Sequence, residues 1–247
     1  MFRTLATSAL ALTLALPAAA LDLTNMTPEE RANFREEIRA YLLDNPEIIM
    51  EAVGVLEARE QAAQAQADLN LVSDNAAELF DDGYSFVGGN PDGDITLVEF
   101  LDYRCGFCKR AHGEVAKMLE SDGNIRLIVK EFPILGEQSL LASRFAVATK
   151  QVAGGDAYKG LTDALMTMNG DVTMRSLRRM ASTFGLDADA IEARMDSDEV
   201  TMEIQRTRAL AQRLQITGTP TFVLQDELLR GFLPYDEMMA LVAEKRG

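Results

Sequence analysis

Cys105-Gly106-Phe107-Cys108 narrows what this chain can fold into more than any other stretch, because of what stands on either side of it. Ile95, Leu97, Val98, Phe100 and Leu101 form a short apolar run rich in β-formers, the pattern of a buried central strand. Beyond the second cysteine, Ala111, Val115 and Leu119 recur at helical spacing, which predicts a helix running through Glu120. A Cys-x-x-Cys pair on a strand-to-helix turn is the context of a redox dithiol, and one helical turn lets the two sulfurs reach each other. Free backbone N–H groups and the positive end of the helix dipole favour a thiolate on Cys105, and Arg104, Lys109 and Arg110 add local positive charge. Cys105 is therefore read as the attacking thiol, and Cys108, inside the first turn, as the thiol that resolves the mixed disulfide.

Other uses of these residues fit less well. A purely structural disulfide closing so short a loop would contribute only about 2 kcal/mol. Cys105, Cys108 and His112 make a soft Cys-x2-Cys-x3-His run suited to Cu(I), yet His112 lies about 10 Å along the helix axis from Cys105. His112 reads better as a solvated or packed helix residue, and no metal site is expected. With 2 Cys and 1 His in 247 residues, a disulfide scaffold and a four-ligand zinc site are both excluded. The 39 acidic against 24 basic residues give a net charge of −15, which repels phosphate backbones and argues against a nucleic-acid partner.

Residues 1–20 read as an export signal, with Arg3 at the start, an apolar run over 5–16, and Pro17 before the small-residue site Ala18-Ala19-Ala20. Cleavage after Ala20 would start the mature chain at Leu21 and place it in a bacterial periplasm, where a Cys-x-x-Cys pair can stay oxidised. Residues 21–82 form a helical segment. Thr27-Pro28-Glu29-Glu30 carries a cap, an N1 proline and a third-position Glu, and Asn45-Pro46 repeats the cap-plus-proline signal. Phe34, Ile38, Tyr41, Ile48, Ala52 and Val55 follow 4-3 spacing if Asn45 fills the gap, so residues 27–69 either oligomerise or pack on the chain's own core. Residues 83–247 form the second domain, with strands expected at 84–87, 95–101, 125–132, 221–224 and 228–232. A block of four or five helices is expected over about 137–214, and a last helix over 234–245.

The second motif is Thr217-Gly218-Thr219-Pro220-Thr221-Phe222. A proline at the start of a buried strand gives up a ladder donor. A cis Thr219-Pro220 bond would expose the Thr219 backbone to an extended substrate; an ordinary strand-initiating proline accounts for the sequence equally well.

Together, Cys-Gly-Phe-Cys on a strand-to-helix turn and Thr-Pro-Thr-Phe before a hairpin resemble the thioredoxin superfamily. The helical block between them resembles its DsbA-like branch, over about residues 84–246. The resemblance implies an α/β thioredoxin-like fold with a helical insertion, with Pro220 as a cis-proline facing Cys105 and Thr219 as the residue that tunes the pair. It also implies a buried acid six residues before the first cysteine: Glu99, a candidate proton acceptor for Cys108, which could otherwise be an ordinary strand-end carboxylate. Gly106-Phe107 and Thr219 look more like periplasmic disulfide isomerases than like the best-known oxidases. The N-terminal helices resemble those of ScsC-type proteins, associated with isomerisation and copper tolerance. The function so implied is a thiol-disulfide oxidoreductase that forms or reshuffles disulfides in cysteine-containing exported proteins, disulfide isomerase-like, with no dissociable cofactor. A net oxidase of the same fold and a copper-sequestering binding protein are the alternatives. A membrane electron donor would serve an isomerase, and a quinone-linked oxidant an oxidase.

Overall fold

The computed structural model describes residues 24–247; the expected export signal and its cleavage site lie outside them. The described residues divide into two units, 24–59 and 60–247, and α2 contributes residues to both.

In the first unit, α1 (Pro28–Asp44) starts on a capping box. Thr27 Oγ accepts the Glu30 N–H at 3.3 Å, and the Glu30 carboxylate accepts the Thr27 N–H at 2.8 Å. At its other end the Asn45 N–H bonds the Tyr41 carbonyl at 2.9 Å, and α2 (Glu47–Asp74) follows. No residue of α1 is buried, and Phe34, Ile38, Tyr41, Ile49, Val53 and Leu56 are all exposed.

The second unit is built on a five-stranded sheet of order β1-β3-β2-β4-β5. After α3 (Ala76–Phe80) come β1 (Phe86–Gly89), β2 (Ile95–Leu101), α4 (Gly106–Asp122) and β3 (Ile125–Glu131). Five helices follow: α5 (Glu137–Ala153), α6 (Gly155–Thr167), α7 (Met174–Thr183), α8 (Ala188–Met195) and α9 (Asp198–Arg213). The chain closes with β4 (Thr221–Leu224), β5 (Glu227–Arg230) and α10 (Tyr235–Arg246). β2 and β3 pair in parallel through the α4 crossover, and the other pairs are antiparallel.

Both central strands are buried on both faces, which is why they read as near-continuous apolar runs. Alternation still sorts them. Ile95, Leu97 and Leu101 of β2 join Ile125, Leu127 and Val129 of β3 in a large core that takes in α4 and the inserted helices. Val98, Phe100 and Ile128 face the other way, onto Val72 of α2, Leu79 of α3 and Leu210 of α9. Glu99 and Glu131 therefore project into the large core, on the face that carries α4. This is the α/β thioredoxin-like architecture expected, with helices inserted between β3 and β4 and a helical segment ahead of the sheet.

β3 ends one residue before the expected 132 and the last helix spans Tyr235–Arg246 rather than 234–245, while the two edge strands differ more. The first strand is Phe86–Gly89 rather than 84–87, because Asp82 Oδ1 accepts the Tyr84 and Ser85 N–H groups and holds them in a turn. The last strand is Glu227–Arg230 rather than 228–232. Gln225, at φ 56°, makes a tight two-residue turn, and Gly231, at φ 98°, ends the strand before Phe232.

Candidate active site

The segment between β2 and α4 is pinned by Asp102, fully buried at 0% exposure. Its carboxylate accepts the N–H groups of Arg104 at 2.7 Å, Ile134 at 2.8 Å and Leu135 at 3.0 Å, while its carbonyl accepts the Cys105 N–H at 3.0 Å. One side chain thus ties the approach to the dithiol to the loop after β3. Cys105 is left as the N-cap of α4, in extended backbone. Its sulfur accepts the Cys108 N–H at 3.4 Å, which puts an orphan helix donor on the reacting atom. The Cys105 thiol donates to the Thr219 carbonyl at 3.1 Å. The Thr219-Pro220 bond is cis. Thr217, Gly218, Thr219, Pro220, Thr221 and Arg230 line a groove of about 270 Å³ there. Cys105, Thr219 and Pro220, distant in sequence, are thus brought together.

Both cysteines are free thiols, Cys105 at 7% exposure and Cys108 at 0%. Burial pushes the Cys108 thiol well above its ordinary range, and negative charge on Cys105 or Glu99 pushes it the same way. Glu99 stands in the middle of β2, buried, rather than at the strand end. Burial first, and repulsion from Glu131 second, raise its carboxyl to about 8. Its Oε1 has no hydrogen-bond partner among the described residues. Glu99 also lines a cavity of about 450 Å³ with His112, Tyr158, Thr162 and Asp163, large enough to admit water. His112 is half-buried on α4 with Nε2 3.1 Å from Asp163 Oδ1. Burial lowers its pKa, more than Asp163 raises it.

Several groups at this site carried no sequence signal strong enough to single them out. Glu131 accepts the Tyr103 hydroxyl at 2.5 Å and the Tyr158 hydroxyl at 2.6 Å. Burial lifts its carboxyl to about 7 despite those donors. These partners lie on three different elements, so no local spacing could find them. Asp102 had a local signal, since an Asp two residues before a turn N–H is a common backbone mimic. Among the described residues, no group of three or more His, Cys, Asp or Glu is arranged to hold a metal ion.

A dithiol at a helix N-terminus, facing a cis-proline loop across a mixed sheet, is the layout of a thioredoxin-like protein. Residues 96–243 match the DsbA-like thioredoxin domain, and residues 30–63 match the N-terminal domain of the copper resistance protein ScsC. The chain belongs to the DsbA-like thioredoxin family of thiol-disulfide oxidoreductases, with a ScsC-type N-terminal segment. It is 40% identical to a thioredoxin-like oxidoreductase from Silicibacter pomeroyi DSS-3, with a TM-score of 0.65, covering 69% of this chain and 96% of that one. Proteus mirabilis ScsC in a transitional conformation is 26% identical at a TM-score of 0.65, covering 89% of this chain and 98% of the other. Disulfide bond formation protein D of Bacillus subtilis is 24% identical over 169 residues, 64% of this chain and 75% of that protein. A match to the Na(+)/H(+) antiporter NhaA of Herminiimonas arsenicoxydans, 26% identical, spans 30% of that longer protein.

Proposed function

We propose that this protein is an exported, periplasmic thiol-disulfide oxidoreductase that reshuffles disulfides in other exported proteins, with Cys105 as nucleophile and Cys108 as resolving thiol. The reading rests on one observation: the Cys105 sulfur receives a helix N–H from Cys108 while its thiol meets the Thr219 carbonyl beside Pro220. The Cys105 thiolate attacks one sulfur of a substrate disulfide, a mixed disulfide forms, and the second substrate sulfur leaves as a thiolate. In reshuffling, a substrate thiolate then attacks the mixed disulfide and Cys105 leaves as thiolate, so no electrons are gained or lost overall. In the escape route, Cys108 passes its proton to Glu99 and attacks the Cys105 sulfur; the substrate departs reduced by two electrons and the protein pair is oxidised. A membrane electron donor then returns it to the dithiol. Thr219 and Pro220 hold the substrate backbone beside Cys105.

Isomerisation over net oxidation is supported by Gly106-Phe107, by Thr219 ahead of the proline, and by the ScsC-type segment. The exposed apolar faces of α1 and early α2 pair copies of this chain within residues 27–69, which shields the dithiol from reoxidation. A periplasmic location is supported by the residue 1–20 pattern and by a Salmonella relative described as a periplasmic thioredoxin-like protein. No helix among the described residues is long and apolar enough to cross a membrane. The name of the Bacillus relative favours net disulfide formation as the rival.

The test is refolding of a scrambled-disulfide substrate in redox buffer, with Cys105→Ala alongside. Recovery of native substrate that vanishes in the variant is the expected result. Oxidation of reduced substrate without rescue of scrambled substrate would make the protein an oxidase.

A further inference from the structure

Three cations lie within five residues of the reacting sulfur, Arg104 just ahead of α4 and Lys109 and Arg110 in its first turns, and the described residues supply none of them with a carboxylate partner. Arg104 Nη1 donates to the Gly170 carbonyl at 2.6 Å, and Lys109 Nζ donates to the Met168 carbonyl. Arg110 lies over the exposed Phe107 ring at 4.2 Å and the Phe232 ring at 5.5 Å. Among the described residues, none of the three has a carboxylate oxygen within ion-pair distance, and the first turn of α4 contains no acidic residue. Three carboxylates on the adjoining segments are engaged elsewhere. Asp102 is saturated by backbone N–H groups, Asp171 accepts from Gln138 at 3.3 Å, and Glu114 accepts the Tyr235 N–H at 3.1 Å.

This arrangement runs against local electrostatics. Cations at a helix N-terminus oppose the dipole and repel one another. Arg104 contributes to lowering the Lys109 pKa, second to burial. The chain has acidic residues in excess, 39 against 24 basic, and several cations of the same unit are paired with them: Lys130 with Asp82, Lys150 with Glu203, Arg246 with Asp94 and Asp122. Even Arg230, which lines the groove at Pro220, is neutralised by both oxygens of Asp68, at 2.5 and 2.9 Å. Of the cations beside the dithiol, those on the α4 side are thus the ones left without a carboxylate partner among the described residues, with an exposed aromatic ring next to them.

We infer that Arg104, Lys109 and Arg110 form a docking rim for polypeptides whose reactive cysteine is flanked by Asp or Glu, making acidic segments the preferred substrate class. The inference rests on the exchange chemistry proposed above and names which partners that chemistry selects. The sign is not trivial, because a net charge of −15 would by itself attract basic partners and repel acidic ones.

The test uses the purified, reduced protein and three synthetic peptides. Each carries one cysteine as its disulfide with a neutral small thiol, flanked by Glu, Gln or Lys. Each rate is divided by that of a neutral small thiol acting on the same peptide, which removes the effect of flanking charge on intrinsic disulfide reactivity. At low ionic strength, about 20 mM, the Glu peptide should react about ten-fold faster than the Gln peptide, and the advantage should fade by about 0.5 M salt. Combining Arg104→Gln, Lys109→Gln and Arg110→Gln should bring the Glu/Gln ratio to one or below. Because the Gln peptide is the reference within each protein, a change in sulfur reactivity cancels. A Lys peptide that reacts fastest, or a Glu/Gln ratio unmoved by the triple substitution, would overturn the rim. Failure of all three peptides, Gln included, would instead overturn the exchange chemistry on which it rests.

Discussion

Cys108 must lose a proton before it can attack, and burial makes that costly. Glu99 is the buried base available on the same face of the sheet. With its carboxyl raised to about 8, the basic form is scarce at pH 7 and grows as pH rises to that value. Release of a mixed disulfide by Cys108 should therefore accelerate with pH and level off near 8. Glu99→Gln should slow release by about ten-fold or more and remove that inflection; quenched mass spectrometry of the mixed disulfide reads both. Asp102 has a different task. Asp102→Ala strands three backbone N–H groups, and urea unfolding should show a loss of about 2–3 kcal/mol. At this scale the two cysteines were legible because they are the only ones, and Glu99 only through resemblance, since nothing local marks a strand carboxylate as buried. Glu131 was not legible, because its position is defined by Tyr103 and Tyr158 arriving from elsewhere in the fold.

Elements were legible where burial is two-sided. Ile95–Leu101 and Thr221–Leu224 have the expected bounds, because each must fill both faces of the sheet with apolar or β-branched residues. Edge elements were less so. Phe232 looks like a strand residue by hydropathy, yet the left-handed Gly231 before it has already ended the strand. β1 is fixed by a similar constraint at Gly89, at φ 65°, where a Cβ would sit 2.3 Å from the Ile125 carbonyl oxygen. Gly89→Ala should destabilise by at least about 2 kcal/mol, seen as a lower urea midpoint. α2 runs on to Asp74, beyond the 27–69 stretch expected to oligomerise or pack, and Asp68 and Val72 there find partners that periodicity within the helix could not announce.

Across the whole molecule, two consequences follow from charge and exposed apolar surface. Glu99 and Glu131 are both raised above the ordinary 4.5 of a free glutamate, to about 8 and about 7. Their favourable contribution is complete below the unfolded value and is lost as pH rises through 7 to 8. Asp68, Asp82, Asp94 and Asp122 are lowered, so their contribution is present above the ordinary Asp range and lost on acidification. Stability should thus be highest at mildly acidic pH, and Glu99→Gln should flatten the alkaline side of a Tm-against-pH curve. The exposed Phe34, Ile38 and Tyr41 should make the protein oligomeric by light scattering, and Phe34→Asp with Ile38→Asp should reduce it to monomers; a monomeric wild type would contradict that role. The 4-3 spacing marked this apolar stripe, which α1 leaves exposed, whereas pairing between copies depends on packing between chains that one sequence does not encode locally.

The central claim is that Cys105 takes the substrate sulfur and Cys108 releases it. The most direct measurement is trapping: Cys108→Ser and Cys105→Ser variants are each incubated with a scrambled-disulfide substrate, quenched in acid and resolved without reductant. The account predicts a covalent complex through Cys105 that accumulates in Cys108→Ser, disappears on reduction, and is absent from Cys105→Ser. A complex that forms through Cys108 in Cys105→Ser, or no complex in either variant, would contradict it.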